Sequence, residues 1–253
     1  MIEIVGIGAG DPGHVTVEAV EALRRMDVVF FLDKAGQARE LSDLRQLILD
    51  THVPGGGYRV VRAEDPQRDR ATPAYAQAVD DWRARRAEVC ERMILEHLGD
   101  GETGAFLVWG DPSLYDSIIA VVDDVLGRGN ADFDVRVRPG ISSLSALVAR
   151  HGTTFNQVAG AVQITTGRRL AQGWPEGVDD VLVMLDAHNT FLQHVGEPGA
   201  HIHWGAYVGT ADEILLAGPL AEVAQQIVAV REKARERKGW IMDSYLLRRP
   251  RRG

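Results

Sequence analysis

The chain has 253 residues, a formal net charge of −8 and 45% hydrophobic side chains, enough to bury one large or two modest α/β cores. The excess of 36 acidic over 28 basic residues argues against a nucleic-acid partner, which needs a basic face. Cys90 is the only cysteine, so no intrachain disulfide forms, and no apolar run approaches a membrane span.

Short apolar runs alternate with amphipathic stretches. Residues 2–8 (IEIVGIG) read as a strand, and TVEAVEALRRM as a helix with Thr16 as N-cap and Glu18 in its first turn. DVVFFL is a second strand, ARELSDLRQLIL a helix and YRVVRA a third strand, and residues 71–98 form a long helix. Cys90 lies in that helix at helical spacing from apolar neighbours, as a buried thiol would. GAFLVWG, SLYDSIIAVVDDVL and FDVRVRPG continue as strand, helix and strand. Such regular alternation predicts parallel strands with right-handed crossovers.

Beyond Pro139 the spacers shorten. AVQITTG, DVLVMLD, HIHWGAYVG and DEILLAG read as strands, followed by the helix PLAEVAQQIVAVREKARER and the strand GWIMDSYLL. Two strand candidates lie close together near 201–217, which predicts an antiparallel pair in a mixed sheet. The expected organisation is two α/β domains, residues 1–140 with a mostly parallel sheet and residues 141–253 with a mixed one. Segments 51–57 and 63–72 are the expected flexible loops, and the basic ending RRPRRG reads as a solvated, frayed end.

The chemistry gathers at glycine turns. In VGIGAGDPGH (5–14), Gly8, Gly10 and Gly13 spell G-x-G-x-x-G between a strand and a helix. Asp33 ends the next strand at about the distance of a ribose-binding acid. Against a pyrophosphate, Asp11 brings a negative charge into the loop and Pro12 removes an N–H. The loop is therefore a dinucleotide cradle, a turn for another ligand, or structural.

WGDPSLYDS (109–117) sets Asp111 at a strand's carboxyl end, either as a ligand group or as the start of an Asp-Pro turn. In RPGISSLSA (138–146), Ser142 is an N-cap or, with Ser143, faces the ligand crevice. VLVMLDAH ends a buried-type strand in Met184, a core residue or a contact, and Gly209 opens another turn. His201 and His203 share one strand face without a carboxylate or cysteine at ligand spacing, so no metal is expected. There is no P-loop, G-x-S-x-G or H-E-x-x-H.

Taken in order, VGIGAGDPGHVT, GDPSLY, PGISS, VMLD and GTADEILLAGPL resemble the motif series of the tetrapyrrole methyltransferases over residues 5 to about 220. These are S-adenosylmethionine-dependent enzymes of sirohaem and cobalamin biosynthesis. The 58–98 segment and the ending WIMDSYLLRR resemble a cobalamin-pathway branch. The resemblance implies two α/β domains with S-adenosylmethionine in the cleft between them, and a first loop that borders the tetrapyrrole. It assigns cofactor contacts to Ala9, Gly110, Asp111, Leu114, Ser142, Ser143, Met184 and Gly209. Trp109 stands where some relatives carry glycine, and would crowd that wall. Asp33, one residue out of register with the family's acid, and Asp11 are the candidate catalytic carboxylates.

Arg59, Arg62, Arg168 and Arg169 are candidates for the substrate's acidic side chains. The resemblance also implies a homodimer and a tetrapyrrole substrate, with no membrane partner. The N-terminus lacks a basic segment followed by an apolar one, so the expected location is the cytoplasm. The rival readings are a methyltransferase of the same fold acting at another tetrapyrrole position, on a diphthamide precursor or on ribosomal RNA, and an NAD(P)-dependent oxidoreductase using the first loop.

Overall fold

The computed structural model describes residues 1–33, 38–67 and 75–250, the side chains at 38, 39, 75 and 76 excepted. The chain groups into two compact units, Met1–Ser142 and Ser143–Gly253.

The first unit runs β1 (Ile2–Gly6), α1 (Val17–Leu23), β2 (Val28–Asp33), α2 (Ala38–His52), β3 (Arg59–Glu64), α3 (Tyr75–His97), β4 (Gly104–Val108), α4 (Ile118–Gly127) and β5 (Val135–Arg138). Its five strands are all parallel, in the order β3-β2-β4-β1-β5. The inner strands β1, β2 and β4 are buried on both faces, which is why they read as continuous apolar runs, while the edge strands β3 and β5 are largely exposed. Val28 and Phe30 join Ile2, Ile4 and Phe106 under α3 and α4; Val29 and Phe31 join Val5, Ile7 and Leu107 under α1 and α2. Phe30 and Phe106 stack with ring centroids 5.1 Å apart. Thr16 caps α1, its hydroxyl oxygen accepting from the Ala19 N–H at 3.1 Å. Cys90 is fully buried on the inner face of α3, and burial pushes its thiol pKa up to about 12, so it is a packing residue.

Two readings of this unit are corrected. The helix expected from residue 113 begins only at Ile118, because Tyr115 takes a left-handed φ of 54° and Asp116 then accepts from the Ile118 N–H at 2.7 Å. Of the expected flexible loops, residues 51 and 52 extend α2 and residues 63 and 64 end β3, while residues 68–72 lie outside the described residues.

The second unit runs α5 (Ser143–Arg150), β6 (Val162–Thr166), α6 (Gly167–Leu170), β7 (Asp180–Met184), a 3-10 turn at Thr190–His194, β8 (His201–Ala206), β9 (Ile214–Pro219), α7 (Leu220–Lys238) and β10 (Asp243–Arg248). Its sheet order is β6-β7-β10-β8-β9. β6 and β7 are parallel, β10 runs antiparallel to both its neighbours, and β8–β9 is the expected antiparallel pair. Trp204, Tyr207, Phe191 and Tyr245 fill the core with Ile227 of α7.

The basic ending does not fray where it is described. Arg248 pairs with the buried Asp180 and donates to the Thr153 hydroxyl at 3.0 Å. Arg249 reaches Asp179 at 3.1 Å and lies over the Trp174 ring. These arginines close the sheet edge; they are not a solvated tail.

His203 gives a pH dependence. Desolvation first, then the positive fields of His151, Arg248 and His201, lower its pKa to about 4 from 6.5. Its Nδ1 is buried with no partner among the described residues. The unfolded chain therefore takes up a proton near pH 6.5 that the folded chain refuses until about pH 4. Stability falls as pH drops through that window. His203→Gln is expected to flatten the fall, measured by thermal midpoints from pH 7 to 4; equal slopes in both proteins would remove His203 from the account.

Candidate functional site

β1 and β4 are neighbours, but the connection after β1 leads to α1 on one face and that after β4 leads to α4 on the other. Their carboxyl ends therefore mark a topological switch point, the usual ligand position in open α/β sheets. Three glycine turns meet there at backbone distance. The Gly110 N–H donates to the Gly8 carbonyl at 2.8 Å, and the Gly8 N–H returns to the Gly110 carbonyl at 3.3 Å. A Cβ on Gly140 would lie 2.1 Å from the Gly110 oxygen, and one on Gly6 would lie 2.6 Å from the Gly140 nitrogen. Only glycine permits such approach.

Asp111 stitches the turns together. One carboxylate oxygen accepts from the Gly140 N–H at 2.9 Å, and the other from the Ser113 N–H at 2.8 Å and the Ser113 hydroxyl. Burial works to raise its pKa, but the Ser113 and Gly140 hydrogen bonds together outweigh it and hold the carboxyl below its usual value. The third turn is anchored from below. Arg138 forks onto Glu3, which is 1% exposed, at 2.8 and 2.9 Å, and reaches Glu18 at 2.6 Å.

The first loop departs from a dinucleotide fingerprint. Gly13 lies in a 3-10 turn, Pro12–His14, capped by Asp11, whose carboxylate accepts from the Gly13 N–H at 2.8 Å. The helix begins four residues later, at Val17, so its N-terminal N–H groups do not follow the glycine turn directly. Arg138 is committed to two glutamates. Turns bearing Asp11 and Asp111 suit a neutral or cationic group better than a pyrophosphate.

At the end of β2, Asp33 accepts from the Ser42 hydroxyl at 2.6 Å and from Arg62 at 2.9 Å. Arg59 is paired with Glu102, so of the expected substrate-binding arginines two already hold carboxylates. Trp109 packs on the α1/α2 side, beneath the Arg45 guanidinium, rather than into the glycine turns.

In the second unit, the register aligns Thr166 with Met184, Met184 with Ser244, and Ala206 with Asp243. The turns carrying Met184 and Gly209 therefore leave the same edge of the sheet. Both are strained. Leu185 has φ 54° and is 66% exposed, Tyr207 has φ 50° and Gly209 φ 82°. Beneath Leu185, the buried Asp186 accepts from the His188 and Thr190 N–H groups, the Thr190 hydroxyl and Tyr245. A Cβ on Gly167 would sit 2.5 Å from Asp186, so the β6 turn closes onto the β7 turn. Asp186 stands in the VMLD motif, but the sequence assigns no role to it, to Gly167 or to Tyr245.

The sequence matches the model of the Tetrapyrrole (Corrin/Porphyrin) Methylases over residues 1–224. The chain belongs to this family. It is 46% identical over 248 residues, covering 98% of this chain and 95% of the relative, to a precorrin-6A synthase [deacetylating] of Sinorhizobium sp. It is similar throughout, at 34% identity, TM-score 0.82 and 98% coverage of both chains, to the crystal structure of a cobalamin-synthesis-related protein (CobF) from Corynebacterium diphtheriae. A uroporphyrin-III C-methyltransferase from Thermus thermophilus, complexed with S-adenosylhomocysteine, shares the fold at 19% identity and TM-score 0.59, over 97% of this chain and 91% of that one.

The residues that the motif resemblance singles out for the cofactor fall in two sets. Ala9, Gly110, Asp111, Leu114 and Ser142 lie on the three turns of the first unit, with Ala9 buried and Ser142 ending that unit. Ser143 opens α5, while Met184 and Gly209 lie at one sheet edge of the second unit. No described helix is long and apolar enough to cross a membrane, and among the described residues no three His, Cys, Asp or Glu side chains converge as a metal site would need.

Proposed function

We propose that the chain is an S-adenosylmethionine-dependent C-methyltransferase of aerobic cobalamin biosynthesis. Its reaction would methylate carbon 1 of precorrin-5 and release the acetyl group as acetate, giving precorrin-6A. The observation that carries this reading is 46% identity across 98% of the chain to a precorrin-6A synthase [deacetylating].

The donor set fits the cofactor. The first unit's turns offer backbone groups beside carboxylates and leave Arg138, the cation among them, fully committed, which suits a sulfonium better than a phosphate. S-adenosylmethionine supplies an electrophilic methyl group when bound. We assign its contacts to Ala9, Gly110, Asp111, Leu114, Ser142, Ser143, Met184 and Gly209. Fixed turns of this kind supply positioning, the main contribution a protein makes to a displacement at carbon. Asp33 is the proposed proton acceptor for the water that attacks the acetyl carbonyl. Its two hydrogen bonds leave lone-pair positions open for that role. Asp11 is the weaker candidate, because it already caps its own turn.

Isothermal titration with S-adenosylhomocysteine, and NADH as comparison, tests the cofactor reading. Micromolar-range binding of S-adenosylhomocysteine alone is expected. Binding of NADH alone would return the first loop to a dinucleotide role and overturn the proposal.

A further inference from the structure

A crevice opens beside the glycine turns, between β2 and β4. The two strands pair only from Val28–Gly104 to Phe30–Phe106, although β2 continues to Asp33 and β4 to Val108. Beyond Phe30 they splay. The connection after β2 leads to α2 on one face, and that after β4 to α4 on the other, so this gap is also a place where an open sheet admits ligands. A cavity of about 60 Å³ fills it, walled by Phe31, Leu107 and Trp109 and reached by Arg45, Arg86 and Asp116. That volume holds a group the size of a few waters.

The polar groups around the cavity are unevenly committed. Asp33 is held by Ser42 and Arg62, Asp65 by Arg86 at 2.9 Å, and Asp116 by the Ile118 N–H. Arg86 also donates to the Ser117 hydroxyl at 2.6 Å. Arg45 has no ion pair among the described residues. Its guanidinium lies between the Phe31 and Trp109 rings, 5.9 and 5.7 Å from their centroids. The Trp109 Nε1–H is buried with no acceptor among the described residues. A guanidinium with no direct ion pair, its nearest carboxylates Asp33 and Asp116 acting only through space, and an N–H with no acceptor among the described residues line one small cavity and are the complement of a small planar anion. Burial first, and then the neighbouring Arg86 and Arg62, work against the charge on Arg45 and outweigh the favourable fields of Asp33 and Asp116; a bound anion would offset them.

We infer that the β2–β4 crevice binds a small carboxylate, with Arg45 and the Trp109 indole N–H as its donors. The inference rests on the proposed function for its source: a carboxymethyl arm of the tetrapyrrole, or the acetate that the reaction releases. Both present the same four heavy atoms. On this reading Trp109 is a specificity residue for the carboxylate, not an obstruction in the cofactor wall.

The test uses the whole chain and carbon-13-labelled sodium acetate, followed by NMR line width, with acetamide as the neutral isostere. Arg45→Met removes the charge, and Arg45→Lys keeps it without the planar fork. S-adenosylhomocysteine titration of each variant reports folding and the cofactor site. If released acetate is the occupant, acetate binds the wild type, acetamide does not, and Arg45→Met weakens acetate about tenfold or more with cofactor binding unchanged. If the substrate arm is the occupant, free acetate binds weakly or not at all, and Arg45→Met raises the KM for precorrin-5 about tenfold with kcat little changed. Unchanged acetate binding together with unchanged KM in Arg45→Met overturns the site. Acetate binding needs no cofactor, so failure of the methyltransferase reading would appear separately, as absent S-adenosylhomocysteine binding.

Discussion

Gly140→Ala is expected to destabilise the first unit by about 3 kcal/mol and to weaken S-adenosylhomocysteine binding about tenfold or more. The new methyl would stand 2.1 Å from the Gly110 carbonyl oxygen and 2.8 Å from Gly6 backbone atoms. The three atoms nearest to it are all backbone, so no side chain can swing aside to relieve them. Relief requires parting the β1, β4 and β5 turns, which breaks the Asp111–Gly140 hydrogen bond and the Gly8–Gly110 bridge. Urea unfolding and cofactor titration read the two effects. Gly127→Ala is the control, since nothing lies within 4 Å of its added Cβ and alanine favours α4. A Gly140→Ala protein as stable as that control would contradict the convergence of the three turns.

Asp243→Ala is expected to cost about 3–5 kcal/mol. Arg231 and Asp243 pair at 2.8 Å with side chains only 8% and 6% exposed. Asp243 also accepts from the Trp204 indole N–H at 2.9 Å, and Arg231 donates to the Asp186 carbonyl at 2.7 Å. Truncating the acid strands a guanidinium in the core of the second unit and orphans the Trp204 N–H. The cost comes from the charge left behind rather than from the net strength of the pair. Arg231→Met combined with Asp243→Ala should therefore recover much of the loss. Because Arg231 holds the Asp186 turn, the single variant should also weaken cofactor binding. A loss below about 1 kcal/mol, the range of an exposed ion pair, would contradict the burial described here.

The alternation of strands and helices was legible because nearly every element follows its local pattern. Thr16 caps α1 as a hydroxyl before an amphipathic run should, and the buried-both-sides strands read as unbroken apolar segments. The antiparallel β8–β9 pair followed from a spacer too short for a crossover. Local pattern failed where a tertiary contact decides. Tyr115 enters the left-handed region and delays α4, although SLYDSII carries no glycine to announce it. Arg248 and Arg249 looked like a solvated end because their partners, Asp180 and Asp179, lie about seventy residues earlier.

The site was legible to the same extent. The three glycine turns could be found singly, but their approach within van der Waals distance depends on the order β4-β1-β5, which no single motif encodes. Asp111, read as either a ligand group or a turn former, ties two turns together. Arg45 was passed over because α2 is amphipathic throughout, and only the splay of β2 from β4 distinguishes it from its charged neighbours.

The most direct test of the whole account is turnover. The purified chain is incubated with precorrin-5 and methyl-labelled S-adenosylmethionine, and acetate and labelled tetrapyrrole are quantified together. Equal amounts of acetate and singly methylated product are predicted. Methylation without acetate would point to another ring position, and neither product from a chain that binds S-adenosylhomocysteine would contradict the proposed reaction.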